Sequence, residues 1–267
     1  MRLIFFIFSI FFFSILHAQD LNEYKKETFI KGDEDLPYRI LYPLKFEPAK
    51  KYPVLIFLHG AFEKGNDNEA QLEIGGHFFL VDSNRNGFPA IIIFPQCPLN
   101  DLWAYFETEL DSAGQVKRAI FPFRKEPTRV TFLLKQLLDS FRTLSFVDDK
   151  RIYIGGLSQG GMGVFDMVAR YPEIFAAGFP ICGAGKASTS GKFAKQTALW
   201  IFHGGDDDVV PVYFSREFYH KLKKLGADVR YTEYPGVRHN SWVNAFKEKD
   251  LLPWLFSKSK KDESILK

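Results

Sequence analysis

The sequence predicts an α/β fold, a mostly parallel central sheet of about eight strands with helices on both faces. Three observations carry this. From Asp20 onward, short runs rich in β-branched and aromatic residues alternate with segments of helical period, the pattern of a sheet with helical crossovers. The run Val54-Leu55-Ile56-Phe57-Leu58 is continuously apolar, as a strand covered on both faces must be. The runs close on Gly, Pro or Asp, residues that stop strands and open loops. With 267 residues, 46% of them apolar and 25% charged, the chain has material for a substantial core, and its composition excludes disorder.

In chain order, the N-terminus stands apart. Arg2 is followed by Leu3 to Leu16, which holds six Phe, four Ile and two Leu, interrupted only by Ser9 and Ser14. As a helix this run spans roughly 21 Å, against roughly 30 Å for the hydrocarbon core of a bilayer. A positive start, a short apolar run and the small Ala18 before a polar stretch predict a secretory signal peptide over 1–18, cleaved after Ala18. The mature protein is then secreted or periplasmic, with no stable membrane insertion. Residues 19–267 read as one catalytic domain, since no repeat and no Pro/Ser/Gly-rich linker divides them.

Strands are expected near Lys26 to Lys31 and over Leu36 to Pro43, Val54 to Leu58, Ala90 to Phe94, Ile152 to Ile154, Ala176 to Cys182, Leu199 to Phe202 and Val229 to Tyr234. Val130, Leu133, Leu134, Leu137, Leu138 and Phe141 share one helical face. Met162 to Arg170 reads as a helix stopped by Pro172, and Tyr213 to Leu225 as one stopped by Gly226. The stretch 100–126 has no clear period and is expected to be a lid or insertion over the site. Lys258 to Lys267 is expected to be a solvated tail. The charge, 35 Lys and Arg against 32 Asp and Glu, is only +3 and scattered, which argues against nucleic acid as a partner. It leaves oligomeric state open.

Gly156-Leu157-Ser158-Gln159-Gly160 lies between an expected strand and an expected helix. A sharp turn there exposes the serine hydroxyl, and the flanking glycines remove the Cβ atoms that would clash. Such a serine needs a base, and in this topology an acid and then a His follow it in the chain. His203 precedes the natural acid segment, Asp206-Asp207-Asp208, so it is set aside. His220 falls in a Lys-rich helix, whereas His239 follows the last strand in a loop and is the expected base. Charge alone leaves the acid open among the three aspartates. They lack the alternate spacing of a calcium loop and have no His or Cys ligands nearby, so neither metal nor cofactor is expected. His59-Gly60-Ala61 closes the central strand; the Ala61 and Gln159 amides are expected to bind a developing oxyanion, with His59 itself structural.

The segments Tyr52 to Asn68, Pro95 to Pro98 with Trp103, Gly155 to Gly163, Pro180 to Gly183, His203 to Pro211 and His239 to Trp242 together resemble the α/β-hydrolase superfamily. More narrowly, the chain is similar to secreted esterases grouped with phospholipase/carboxylesterase, feruloyl esterase and dienelactone hydrolase-like proteins, over about Leu36 to Leu255. The resemblance implies the α/β-hydrolase fold and a catalytic set of Ser158, His239 and Asp207, because that family's acid occupies the G-x-x-D-x-x-V-P position, here Gly204, Asp207 and Val210-Pro211. Two departures are Lys64, where the family usually has Arg, and the bulky Phe62, where it often has Gly.

The expected activity is hydrolysis of a small-molecule or carbohydrate-linked ester, acetyl or feruloyl. A prolyl-oligopeptidase-type peptidase is the alternative, although only Asp20 to Pro53 precedes the central strand where such enzymes carry a propeller. A silent binding protein is a further alternative. Phe62, Trp103, Trp242 and Phe121-Pro122-Phe123 either offer aromatic walls to a substrate or pack as core and lid. Gly183-Ala184-Gly185-Lys186 fails the phosphate-loop pattern at both ends. Cys97 and Cys182 follow strands expected to be three steps apart, roughly 14 Å, too far for a disulfide.

Overall fold

The computed structural model describes residues 20–113 and 116–261; the expected signal peptide over 1–18 and the end of the tail, 262–267, lie outside the described residues. In chain order the elements are β1 (Lys25–Lys31), β2 (Glu34–Leu41), β3 (Tyr52–Leu58), α1 (Gly76–Leu80), α2 (Asp82–Gly87), β4 (Ile91–Pro95), β5 (Glu107–Leu110), β6 (Val116–Ile120) and α3 (Arg129–Arg142). They continue with β7 (Val147–Leu157), α4 (Gln159–Arg170), β8 (Ala177–Ile181), β9 (Ala198–Gly204), α5 (Tyr213–Lys224), β10 (Val229–Tyr234), α6 (Trp242–Ala245) and α7 (Leu251–Phe256).

Eight strands form one sheet in the order β1-β2-β4-β3-β7-β8-β9-β10. The β1–β2 and β2–β4 pairs are antiparallel and the remaining five are parallel. This is the α/β-hydrolase fold that the sequence predicts. The core lies on both faces of the sheet because successive strand side chains alternate. Along β3, Val54, Ile56 and Leu58 join the cluster under α3, α4 and α5, whereas Leu55 and Phe57 join the cluster under α1 and α7. All seven residues of β3 are buried, which is why its sequence is apolar without a break. Helix α3 buries the expected stripe, and the Thr128 hydroxyl accepts from the Thr131 amide to cap its start. Cys97 and Cys182 are both buried and free, with β3 and β7 between the strands they follow.

Three expectations need correction. Strand β7 begins at Val147, five residues before the expected start, because its pairing with β3 carries the extended backbone across the polar Asp148-Asp149-Lys150. The tail is docked as far as Lys260: the Tyr153 hydroxyl donates to the Lys258 carbonyl at 2.7 Å, and Lys260 donates from its amide to Lys150 at 2.9 Å and from Nζ to Pro172 at 2.6 Å. The stretch 100–126 holds a two-stranded antiparallel hairpin, β5–β6, with firmly packed ends. Trp103 and Ala104 are buried before it, and after it Phe121 clusters with Met162, Ala184, Val210 and Phe214. The Arg170 guanidinium, paired with Asp166 at 2.5 Å, lies 4.4 Å from the Phe123 ring centroid. Helices α1, α2, α6 and α7 have four to six residues each, too few for a helical period to be legible.

Candidate active site

The loops that follow β3, β7, β9 and β10 meet at the C-terminal edge of the sheet, where parallel α/β sheets place their ligand sites. Ser158 joins β7 to α4 with φ 52° and ψ −117°, a backbone costly for any residue but glycine, by about 1–3 kcal/mol. Neighbouring backbone holds it there. A Cβ on Gly160 would lie 2.0 Å from the Leu58 carbonyl oxygen, and one on Gly156 would lie 2.6 Å from the Gly160 oxygen. Both glycines of the motif are thus required by the approach of α4 to the sheet.

His239 Nε2 lies 3.0 Å from Ser158 Oγ, and His239 Nδ1 lies 2.8 and 3.1 Å from the two oxygens of Asp207. The Asp207 side chain is wholly buried. Its Oδ1 accepts the Val209 amide at 2.9 Å and the Val210 amide at 2.8 Å. Burial pushes the Asp207 carboxyl up, but hydrogen bonds from His203, His239 and those two amides outweigh it and hold the group well below the usual carboxylate range. An anionic Asp207 needs a proton on His239 Nδ1, which leaves the Nε2 lone pair facing the serine hydroxyl. The neighbouring aspartates point elsewhere: Asp208 pairs with Arg238 at the surface, and Asp206 is exposed.

The loop after β3 passes beside the serine, since a Cβ on Gly60 would lie 3.8 Å from Ser158 Cβ. Its root is anchored by His59, whose Nδ1–H donates to the Gly60 carbonyl at 2.6 Å and whose Nε2 accepts the Cys97 amide at 2.9 Å. Burial lowers the pKa of His59 to about 4, so the ring is a neutral brace between two loops. Ala61 and Phe62 then emerge into solvent. Gln159 opens α4, so its N–H has no carbonyl one turn back to bond.

The aromatic candidates separate. Phe62 is 97% exposed, while Trp242 is half-buried with its ring edge-on to His239 at 5.6 Å. Trp103 is not a wall of the site: it is fully buried, donating from Nε1 to the His59 carbonyl at 3.1 Å and accepting on its own carbonyl from Thr131 Oγ1 at 2.7 Å. A large aromatic side chain next to an α4 glycine, Gly163, fills the gap that the glycine leaves. Phe121 also packs as core. His203, set aside as a base by chain order, stands beside Asp207, and nothing in its sequence context signals that direction.

Donor atoms of Cys182, Asp207 and His239 lie within 4.8 Å of one another. Burial pushes the Cys182 thiol up to about 12, which keeps it protonated and a poor metal ligand. The other two are already bonded to each other.

A family profile described as Phospholipase/Carboxylesterase matches residues 46–249. A carboxylesterase of Arabidopsis thaliana, SOBER1, is 24% identical over 202 residues, covering 70% of this chain and 82% of that protein. The crystal structure of a thermostable esterase superposes with a TM-score of 0.79 at 32% identity, covering 90% of this chain and 64% of the other. This chain therefore spans a little under two thirds of that protein. A ferulic acid esterase structure superposes with a TM-score of 0.63 at 18% identity over 87% of this chain and 97% of the other, a likeness of fold.

Proposed function

Since the chain belongs to the phospholipase/carboxylesterase family of α/β hydrolases, we propose that it cleaves carboxylic esters through an acyl-enzyme on Ser158. The observation that carries this reading is the unbroken line from Ser158 Oγ to His239 at 3.0 Å and from His239 to Asp207 at 2.8 Å. His239 Nε2 takes the serine proton as Oγ attacks the ester carbon, and Asp207 stabilises the imidazolium. The Ala61 and Gln159 amides hold the oxyanion. Collapse of the tetrahedral adduct breaks the C–O bond, and His239 returns its proton to the leaving alcohol. Water, deprotonated by His239 in its turn, then releases the acid and restores the serine.

The ester is a small molecule or a carbohydrate-linked acetyl or feruloyl group. The exposed Phe62 ring and the Trp242 ring beside His239 support an aromatic or sugar-bearing substrate, as does the fold likeness to a ferulic acid esterase. The N-terminal apolar run supports export of the protein. The test is a side-by-side assay of p-nitrophenyl acetate, acetylated xylan, methyl ferulate and a prolyl peptide, with mass mapping of the acylated residue during the p-nitrophenyl acetate reaction. Burst kinetics with the acyl group on Ser158 is expected. Acylation elsewhere overturns the mechanism, and preferential cleavage of the peptide replaces the esterase reading with a peptidase one.

A further inference from the structure

Behind Asp207 lie two groups that no step above uses. His203, at the end of β9, and Ser215, in the first turn of α5, are both fully buried. His203 Nε2 lies 2.8 Å from the Val210 carbonyl and 3.2 Å from Asp207 Oδ2. Both of those atoms are acceptors, so the proton of the ring sits on Nε2. On its other side, His203 Nδ1 is bonded to Ser215 Oγ at 2.7 Å, which sets the plane of the imidazole.

The two oxygens of Asp207 are held differently. Oδ1 takes two amides from its own loop, Val209 and Val210. A carboxylate fixed through one oxygen can still swing about it. Oδ2 is the oxygen nearer His239 Nδ1, at 2.8 Å against 3.1 Å, and the donor on its far side comes from the sheet. We infer that His203, braced by Ser215, is a positioning residue that holds the Asp207 carboxylate in line with His239. The inference rests on the reading of Asp207 as the acid of the reaction. It also explains what a buried imidazole does in a pocket of acceptors: one donated proton is divided between the carbonyl that shapes the acid loop and the carboxylate that the loop presents.

The test combines His203→Leu, which removes the donor at similar volume, with His203→Gln, which returns an N–H, each made alone and together with Asp207→Ala. With p-nitrophenyl acetate, His203→Leu should lower kcat by about 10- to 100-fold, the scale of one hydrogen bond to a charged group. KM should stay within about twofold, and His203→Gln should recover much of the loss. In the Asp207→Ala background, His203→Leu should cost nothing further, because its effect passes through a carboxylate that is gone. An equal loss in both backgrounds, or wild-type kcat in His203→Leu, overturns the inference while leaving the triad standing. Wild-type activity in Asp207→Ala alone overturns the triad reading itself. If His203→Leu does not fold, Ser215→Ala takes its place: a kcat loss of about 3- to 10-fold that vanishes without Asp207 supports the inference, and a loss indifferent to Asp207 overturns it.

Discussion

The loop after β9 and the loop after β3 both border Ser158, and they are built in opposite ways. Around Asp207, two amides and two imidazoles surround a side chain with no exposure at all. The β3 loop has an equally rigid root in His59, wedged between Gly60, Cys97 and Trp103, but two residues later Phe62 is 97% exposed. A proton relay fails if its atoms drift by an ångström, so every donor around the acid is fixed by a partner. A wall that receives substrate must instead stay uncovered until substrate covers it. The contrast separates the part of the site that carries out chemistry from the part that selects what reaches it.

Four experiments break or sharpen this contrast, in decreasing order of expected effect. Ser158→Ala, at the meeting point of the two loops, should lower ester hydrolysis by about 10⁴-fold or more with the circular dichroism spectrum unchanged. Turnover near wild type would mean that the loops border something other than the nucleophile. Asp207→Asn should cost at least about 10³-fold in kcat, since the amide no longer sets the His239 tautomer. Asp206→Asn and Asp208→Asn should stay within about threefold, because Asp208 loses only an exposed ion pair with Arg238. A greater loss in either neighbour would move the acid off Asp207.

At the root of the β3 loop, His59 has a pKa lowered by burial to about 4. A histidine with a depressed folded pKa binds its proton more readily when unfolded, so its contribution to stability is present above about pH 6.5 and is lost as pH falls toward 4. Burial raises the Glu63 carboxyl, which gives a slope of opposite sign in the same range, so the difference between two proteins is the informative measure. Between about pH 6.5 and 4.5 the wild type should lose about 2–3 kcal/mol more unfolding free energy than His59→Gln, read from urea titrations. Parallel pH profiles would show that the ring is solvated and that the loop root is no firmer than its tip. Phe62→Ala should have the smallest effect: kcat for p-nitrophenyl acetate within about twofold, an unchanged melting temperature, and a KM for methyl ferulate raised by about 3- to 10-fold. If KM for small and aromatic esters moved together, the exposed ring would not discriminate among substrates.

The fold was legible because its signals are local. Alternation along a strand, the helical stripe from Val130 to Phe141 and the residues that stop each run need only a few neighbouring positions to be read, and they place all eight strands of the main sheet. The nucleophile turn is legible for the same reason: Gly156 and Gly160 stand within a few residues of Ser158. By itself the sequence thus determined the strands, the mostly parallel sheet and the serine turn with its candidate base. Tertiary structure alone decided which polar and aromatic groups meet. Asp206, Asp207 and Asp208 are alike in charge, and only the crossing of the β9 and β10 loops brings one of them to His239. Phe62 and Trp103 are both large aromatics near the β3 loop, yet one lies in solvent and the other fills the space against Gly163. His203 turns toward Asp207 because α5, contributing Ser215, packs over the end of β9. Each of these outcomes depends on the close approach of segments far apart in the chain, at distances of about 3 Å that no local pattern encodes.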